Sequence, residues 1–174
     1  SRLVPELQEA RTRLMGVNPA SPKQVSQVLY QDLRLPVLKR GRKSHAPSTD
    51  EGTLKRIQLR VGPIPFIRDL LRCRGLTKLQ STYINPLLNS VREDGRVHPD
   101  WLQFGTTTGR MSCRNPNLQN QPAHGDYAEE IRRSFISQEG YELVVADYSQ
   151  IELRIMALLS GEDILLDAFA RGED

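Results

Sequence analysis

Glu142-Leu-Val-Val-Ala-Asp147-Tyr-Ser-Gln-Ile-Glu152-Leu-Arg154-Ile-Met-Ala-Leu-Leu159 is the stretch whose reading decides the fold. Leu143 to Ala146 form a short apolar run of the kind that fills a buried strand. Ile151, Leu153, Ile155, Leu158 and Leu159 continue as an apolar-rich helical segment. Asp147 stands at the hinge between the two. A carboxylate at the end of a buried strand is held rigidly and points into the cleft above the sheet. Such a place suits magnesium, a hard cation that binds through one or two carboxylates together with substrate phosphates. The plainer alternative makes Asp147 a cap for the helix that follows.

Working outward, the 174 residues can hold one domain or two small ones and are enough to bury a core. No apolar run approaches the ~20 residues that cross a bilayer, and no charged-then-apolar leader precedes the first helix, so a soluble, unexported chain is expected. Cys73 and Cys113 are too far apart for a zinc cluster or a CxxC pair and are expected as free thiols. The net charge of +3 hides an uneven distribution. Residues 1–90 carry 16 Lys+Arg against 6 Asp+Glu, whereas residues 91–174 carry 8 against 15. A basic first half suits a polyanionic partner, because its cations release counterions from phosphates. An acidic second half suits bound cations. Two ordinary solvated faces would show the same composition.

Leu3, Leu7, Ala10 and Leu14 recur at helical spacing, up to Gly16. Ser21-Pro22-Lys-Gln24 has the pattern of a capping box and opens a second helix expected to bury Val25, Val28, Leu29 and Leu33. Val37 to Pro47 reads as a flexible basic loop carrying Lys39, Arg40, Arg42, Lys43 and His45, able to follow a phosphate backbone. Ser48-Thr-Asp-Glu51 repeats the capping pattern before a helix through Leu54 and Ile57. After Gly62-Pro-Ile-Pro65 a long helical segment follows, with Pro86 expected to kink its end. From Glu93-Asp94-Gly95 onward the chain changes to turns and short strands, which places a boundary near residue 90. Thr106 to Asn120 is rich in turn residues and amides and reads as a loop. The fold class expected is α+β: a mostly helical region at 1–90, then part of an antiparallel sheet with flanking helices at 91–174.

Asp147-Tyr-Ser-Gln-Ile-Glu152-Leu-Arg154 resembles the first catalytic motif of family A DNA polymerases over eight consecutive positions. Thr108-Gly-Arg110-Met-Ser and Pro116-Asn117-Leu-Gln119-Asn120 resemble a second signature at the family's usual distance, and Arg72-Cys-Arg74-Gly-Leu-Thr-Lys78 resembles the helix linking thumb to palm. The resemblance implies a thumb at 1–90 and the first half of a palm at 91–174. The activity implied is template-directed transfer of a nucleotide from a deoxynucleoside triphosphate to a primer 3′-hydroxyl, with two Mg2+ ions. It makes Asp147 a catalytic metal ligand, with the Tyr148 carbonyl beside it, and gives Ser149, Gln150, Ile151 and Glu152 to the nucleotide. Glu152 would be a steric gate against ribose. Arg74, Lys78, Arg110, Asn117, Gln119 and Asn120 would face DNA, with Arg110 closest to the chemistry, at the primer terminus in the minor groove.

The family's second metal aspartate and its triphosphate-binding fingers helix are not among these residues. The expected partners are therefore primer–template DNA, the deoxynucleotide and the remainder of the polymerase chain, with no membrane. The compartment implied is a bacterial cytoplasm or nucleoid, or a phage or organellar counterpart. Leu158 stands where the family usually has His, Cys113 where Ser is common, Gln121 where Ile is common and His124 where Arg is frequent. A non-catalytic duplex-binding module and a degenerate relative are the other readings of the same features. The intact Asp147 and Glu152 favour the enzyme.

Overall fold

The i, i+3, i+4 pattern at the start of the chain becomes helix α1 (Leu3–Arg13), which buries Leu3, Leu7 and Ala10. Leu14, just past its end, has no exposed surface. The structure is a computed structural model that describes residues 2–122 and 124–173. Helix α2 (Pro22–Ser26) begins at Ser21, whose hydroxyl accepts the Gln24 N–H, and Pro22 takes the first helical position. Gln24 reaches back as expected, but its Oε1 accepts the N–H of Asn18 at 2.7 Å, so the box closes one turn further out. A π-helical turn, Gln27–Asp32, extends α2. Val25 and Leu29 are buried, while Leu33 lies past the end of that turn and is 45% exposed, contrary to its expected burial.

Helix α3 (Glu51–Val61) is capped by Asp50 and not by Ser48. The Asp50 carboxylate accepts the N–H of Thr53 at 2.7 Å, and Ser48 donates its hydroxyl to the same carboxylate. A carboxylate at a helix N-terminus also meets the positive end of the dipole, which favours it over a hydroxyl. Residues 39–48 are not an open loop. Ser48 N–H donates to the Lys39 carbonyl and Gly41 N–H to that of Ala46, both at 2.9 Å, and Arg40 bridges to Pro47. The segment is a closed hairpin, with Arg42, Lys43 and His45 exposed at its tip.

Helix α4 (Pro65–Lys78) buries Ile67, Leu70, Cys73 and Leu76, and packs against α1 and α3. It runs on through a π-helical turn, Leu79–Ile84, into the short α5 (Asn85–Leu88). Pro86 lacks an N–H and its ring crowds the carbonyl four residues back, so the expected distortion is taken up as a widened turn. Beyond it, Gly95 at φ +73° makes the tight turn between Val91 and Val97, which bridge. Strands β1 (Asp100–Leu102) and β2 (Ser112–Arg114) pair antiparallel, with Trp101 opposite Cys113. Helices α6 (Ala128–Arg133), α7 (Ile151–Ser160) and α8 (Asp163–Ala170) complete an α+β chain.

Two compact units divide between Ile131 and Arg132, well past the composition change near residue 90. Residues 124–131 belong with the first unit because they are tied to it. Arg72 on α4 pairs with Glu6 and Asp126, Tyr127 donates its hydroxyl to Glu6 at 2.6 Å, and Arg2 pairs with Glu130. The Tyr127 hydrogen bond, then that from Arg72, hold the Glu6 carboxyl below its usual range.

The run Leu143–Ala146 departs from expectation: it is not a strand, and Val144 and Val145 are 89% and 93% exposed. A strand exists through a neighbour's hydrogen bonds, and no described segment pairs with this one. No helix among the described residues is long and apolar enough to cross a membrane.

The ammonium of Lys39, the Ser48 hydroxyl and the Thr53 N–H hold the Asp50 carboxyl well below the usual carboxylate range. A depressed pKa contributes stability that is present above the unfolded value of about 3.9 and is lost as pH falls through the folded value. Asp50→Ala is expected to cost about 1 kcal/mol at neutral pH in urea unfolding. The gap from the unaltered chain should narrow as the titration is repeated below about pH 4.

Candidate functional site

The amide-rich loop between β1 and α6 is shaped from within. A Cβ on Gly105 would lie 1.8 Å from the Ser112 hydroxyl and 2.9 Å from its Cβ, so glycine here leaves room for the Ser112 side chain. Thr106 donates its hydroxyl to the Arg110 carbonyl at 2.8 Å, which closes the turn carrying Arg110 on an exposed tip. Cys113, 5% exposed, donates its thiol to the Pro116 carbonyl and accepts the Leu118 N–H, both at 3.4 Å. Asn115 reaches Asp100 at 2.9 Å. Asn117 accepts the Gln119 N–H, and the Gln119 amide donates to the Met111 carbonyl at 3.1 Å. The structure thus gathers Arg110, Asn117, Gln119 and Asn120 on one loop with exposed side chains. It commits one carboxamide function each of Asn117 and Gln119 to the loop itself. The organising role of Cys113 went unread, because a lone cysteine in a turn-rich stretch carries no spacing signal.

Arg74 and Lys78 lie on α4, one turn apart, with different surroundings. Lys78 is exposed. Arg74 donates from Nε to the Pro19 carbonyl at 2.8 Å and from Nη1 to the Thr49 carbonyl at 2.5 Å. Burial lowers its pKa. Expected on a DNA-facing surface, this guanidinium is turned inward, where it ties the approaches to α2 and α3 onto α4. Helical spacing places a residue on a face, but the carbonyls that meet it come from remote segments.

In the second unit Asp147, Tyr148, Ser149 and Gln150 are exposed and precede α7, and Glu152 sits exposed in its first turn. The residue before the helix is Gln150, with left-handed backbone at φ +54° and no side-chain cap. Asp147 is three residues further back and does not cap α7, which removes the plainer reading. Arg154 donates from Nε to the Ser149 carbonyl at 2.9 Å, and its guanidinium carbon stands 4.6 Å from the centre of the Phe169 ring. Among the described residues no three His, Cys, Asp or Glu side chains converge as a metal site. Asp147 alone is one carboxylate, and magnesium demands a near-octahedral oxygen set. The described side chains therefore do not by themselves fit a two-ion centre.

An α+β chain with a basic helical unit and an exposed acidic turn at a helix entrance is the class that fold and site define. The family model for DNA polymerase family A matches residues 2–174, and the chain belongs to that family. It is 44% identical over 158 residues to DNA polymerase I of Synechocystis, covering 90% of this chain and 16% of the relative. To the thermostable DNA polymerase I of Thermus caldophilus it is 40% identical over 171 residues, covering 97% of this chain and 20% of that one. The solved POL domain of Pol1 from M. smegmatis, in complex with DNA primer-template and dNTP, is similar at a TM-score of 0.85 and 38% identity. The match covers 99% of this chain and 31% of that one. The chain spans about a fifth or less of the curated relatives it matches.

Removing the Arg74 guanidinium strands the Pro19 and Thr49 carbonyls. Arg74→Met is expected to lower the unfolding free energy by about 1.5–3 kcal/mol, the range for hydrogen bonds to a charged group. The same urea titration on Lys78→Met should show a change under about 0.5 kcal/mol, as for an exposed surface position.

Proposed function

We propose that this chain is the part of a template-directed DNA polymerase that grips primer–template DNA and carries the first catalytic motif. One observation carries the reading: the unbroken run Asp147 to Arg154 lies at a helix entrance, in a chain similar throughout to a polymerase domain solved with primer-template and dNTP. Residues 1–90 are the duplex-binding region, and their excess of cations supplies the attraction to phosphate. Lys78 and the Arg42–Lys43 hairpin tip are among its exposed basic groups, and Arg74 serves by holding that region together. Residues 91–174 are the first half of a palm. Arg110, with the free amide functions of Asn117, Gln119 and Asn120, meets the minor groove at the primer terminus, where acceptors sit alike in every base pair.

Asp147 and the Tyr148 carbonyl are this chain's share of a magnesium site whose other ligands come from the remainder of the polymerase. That remainder is also the partner expected to pair with the exposed Val144–Val145 segment. Ser149 to Glu152 border the incoming nucleotide, with Glu152 under its sugar. The relatives compared are bacterial, which supports a bacterial cytoplasm.

Binding of a primer–template duplex to the chain should fall steeply with salt, with a log–log slope of roughly −0.9 for each phosphate neutralised. A fluorescence titration flat between low and physiological salt would remove the duplex-binding role. In a complete polymerase carrying these residues, Asp147→Asn should abolish turnover and leave duplex affinity intact, since it removes charge at the chemistry and not on the basic surface. Glu152→Ala should raise the ribo- to deoxynucleotide ratio of kcat/KM by roughly tenfold or more, because exclusion works by displacing the sugar from its reactive position.

A further inference from the structure

The run before Asp147 is not a strand among the described residues, and the constraint on Asp147 that they do supply comes from the helix side. Between Asp147 and α7 stands the Ser149–Gln150 turn, where Gln150 takes a left-handed backbone that an L residue adopts only when its surroundings impose it. Neither a glycine nor a side-chain cap at Gln150 relieves that turn. Arg154, one helical turn on, is bonded to both of its carbonyls. Its backbone N–H donates to Gln150 O at 3.0 Å and its Nε to Ser149 O at 2.9 Å. The face of the guanidinium lies against Phe169 of α8.

We infer that Arg154 is a positioning residue, held by Phe169, that fixes the Ser149–Gln150 turn and through it the direction of Asp147. The inference rests on the polymerase reading of this site. The chemistry requires arginine: a flat ion stacks on the ring while its Nε, in the same plane, donates sideways to the carbonyl. Lysine offers a point charge that satisfies one contact at a time. Phe169 supplies the second constraint, since an exposed arginine otherwise samples many rotamers and would hold the turn only part of the time. α8 thereby acquires a function, because its placement against α7 decides where Arg154 points.

The test uses a complete polymerase carrying these residues, with Phe169→Leu, Phe169→Trp, Arg154→Lys and the Phe169→Leu/Arg154→Lys pair. Phe169→Leu and Arg154→Lys should each lower kcat by roughly tenfold or more, the scale of a misplacement near 1 Å, with KM for primer–template unchanged. Phe169→Trp keeps a ring face and should stay within about threefold of the unaltered enzyme. The pair should be little worse than either single change, as for residues acting as a unit. In the 174-residue chain itself, Phe169→Leu should speed exchange of the Arg154 amide, which donates to the Gln150 carbonyl, without a matching loss of Tm. An unchanged kcat in Phe169→Leu, an equal loss in Phe169→Trp, or unchanged exchange would each overturn the inference. If the unaltered polymerase fails to incorporate nucleotides, it is the polymerase reading that falls, and the exchange measurement still decides whether Arg154 holds the turn.

Discussion

The first unit depends on the buried stripe of α4. Ile67, Leu70, Cys73 and Leu76 have little or no exposed surface, and α1 and α3 lay Leu3, Leu7, Leu14, Leu54 and Ile57 into the same interior. Burying a side chain of that kind contributes about 1.5–3 kcal/mol, whereas an exposed ion pair contributes about 0–1. The charged ties around Arg72 therefore steer where residues 124–131 dock but do not hold the unit together. Arg74 is the exception among the cations. Its hydrogen bonds to carbonyls are partly removed from water, so it adds to the apolar core what the surface pairs cannot.

That arrangement separates cations bonded within the chain from those left on its surface. The basic excess of the first 90 residues looks uniform in composition. In the fold, Arg72 and Arg74 face partners of the chain's own, Lys39 is engaged by Asp50, and Arg42, Lys43 and Lys78 remain on the surface. The hairpin closed by the Lys39 and Ser48 backbones holds Arg42 and Lys43 at a defined place.

The second unit shows the opposite balance. Leu143, Val144 and Val145 are apolar and exposed, as are Leu158 and Leu159 on α7. Exposed apolar surface of this extent marks an interaction face. Leu143, Val144 and Val145 lie immediately before Asp147 in the chain. The α7–α8 pair, by contrast, already constrains the Ser149–Gln150 turn through Arg154 and Phe169.

Local sequence determined the helices and the family. Periodicity marked α1, α3 and α4 and their buried residues, Asp94-Gly95 marked a turn, and the spaced motifs ending at Arg154 identified the polymerase family. These signals are legible because they depend on neighbours within a few residues. Two features lay beyond such local signals and were settled by tertiary structure, the inward turn of Arg74 and the unpaired Leu143–Ala146 run, while the hairpin at 39–48 and Asp50 as the cap of α3 turned on a choice among nearby donors that composition does not rank. An arginine's carbonyls arrive from distant segments of the chain, and a strand needs a neighbour that local sequence does not name. A sequence states what a side chain can bind, and only packing decides which partner reaches it.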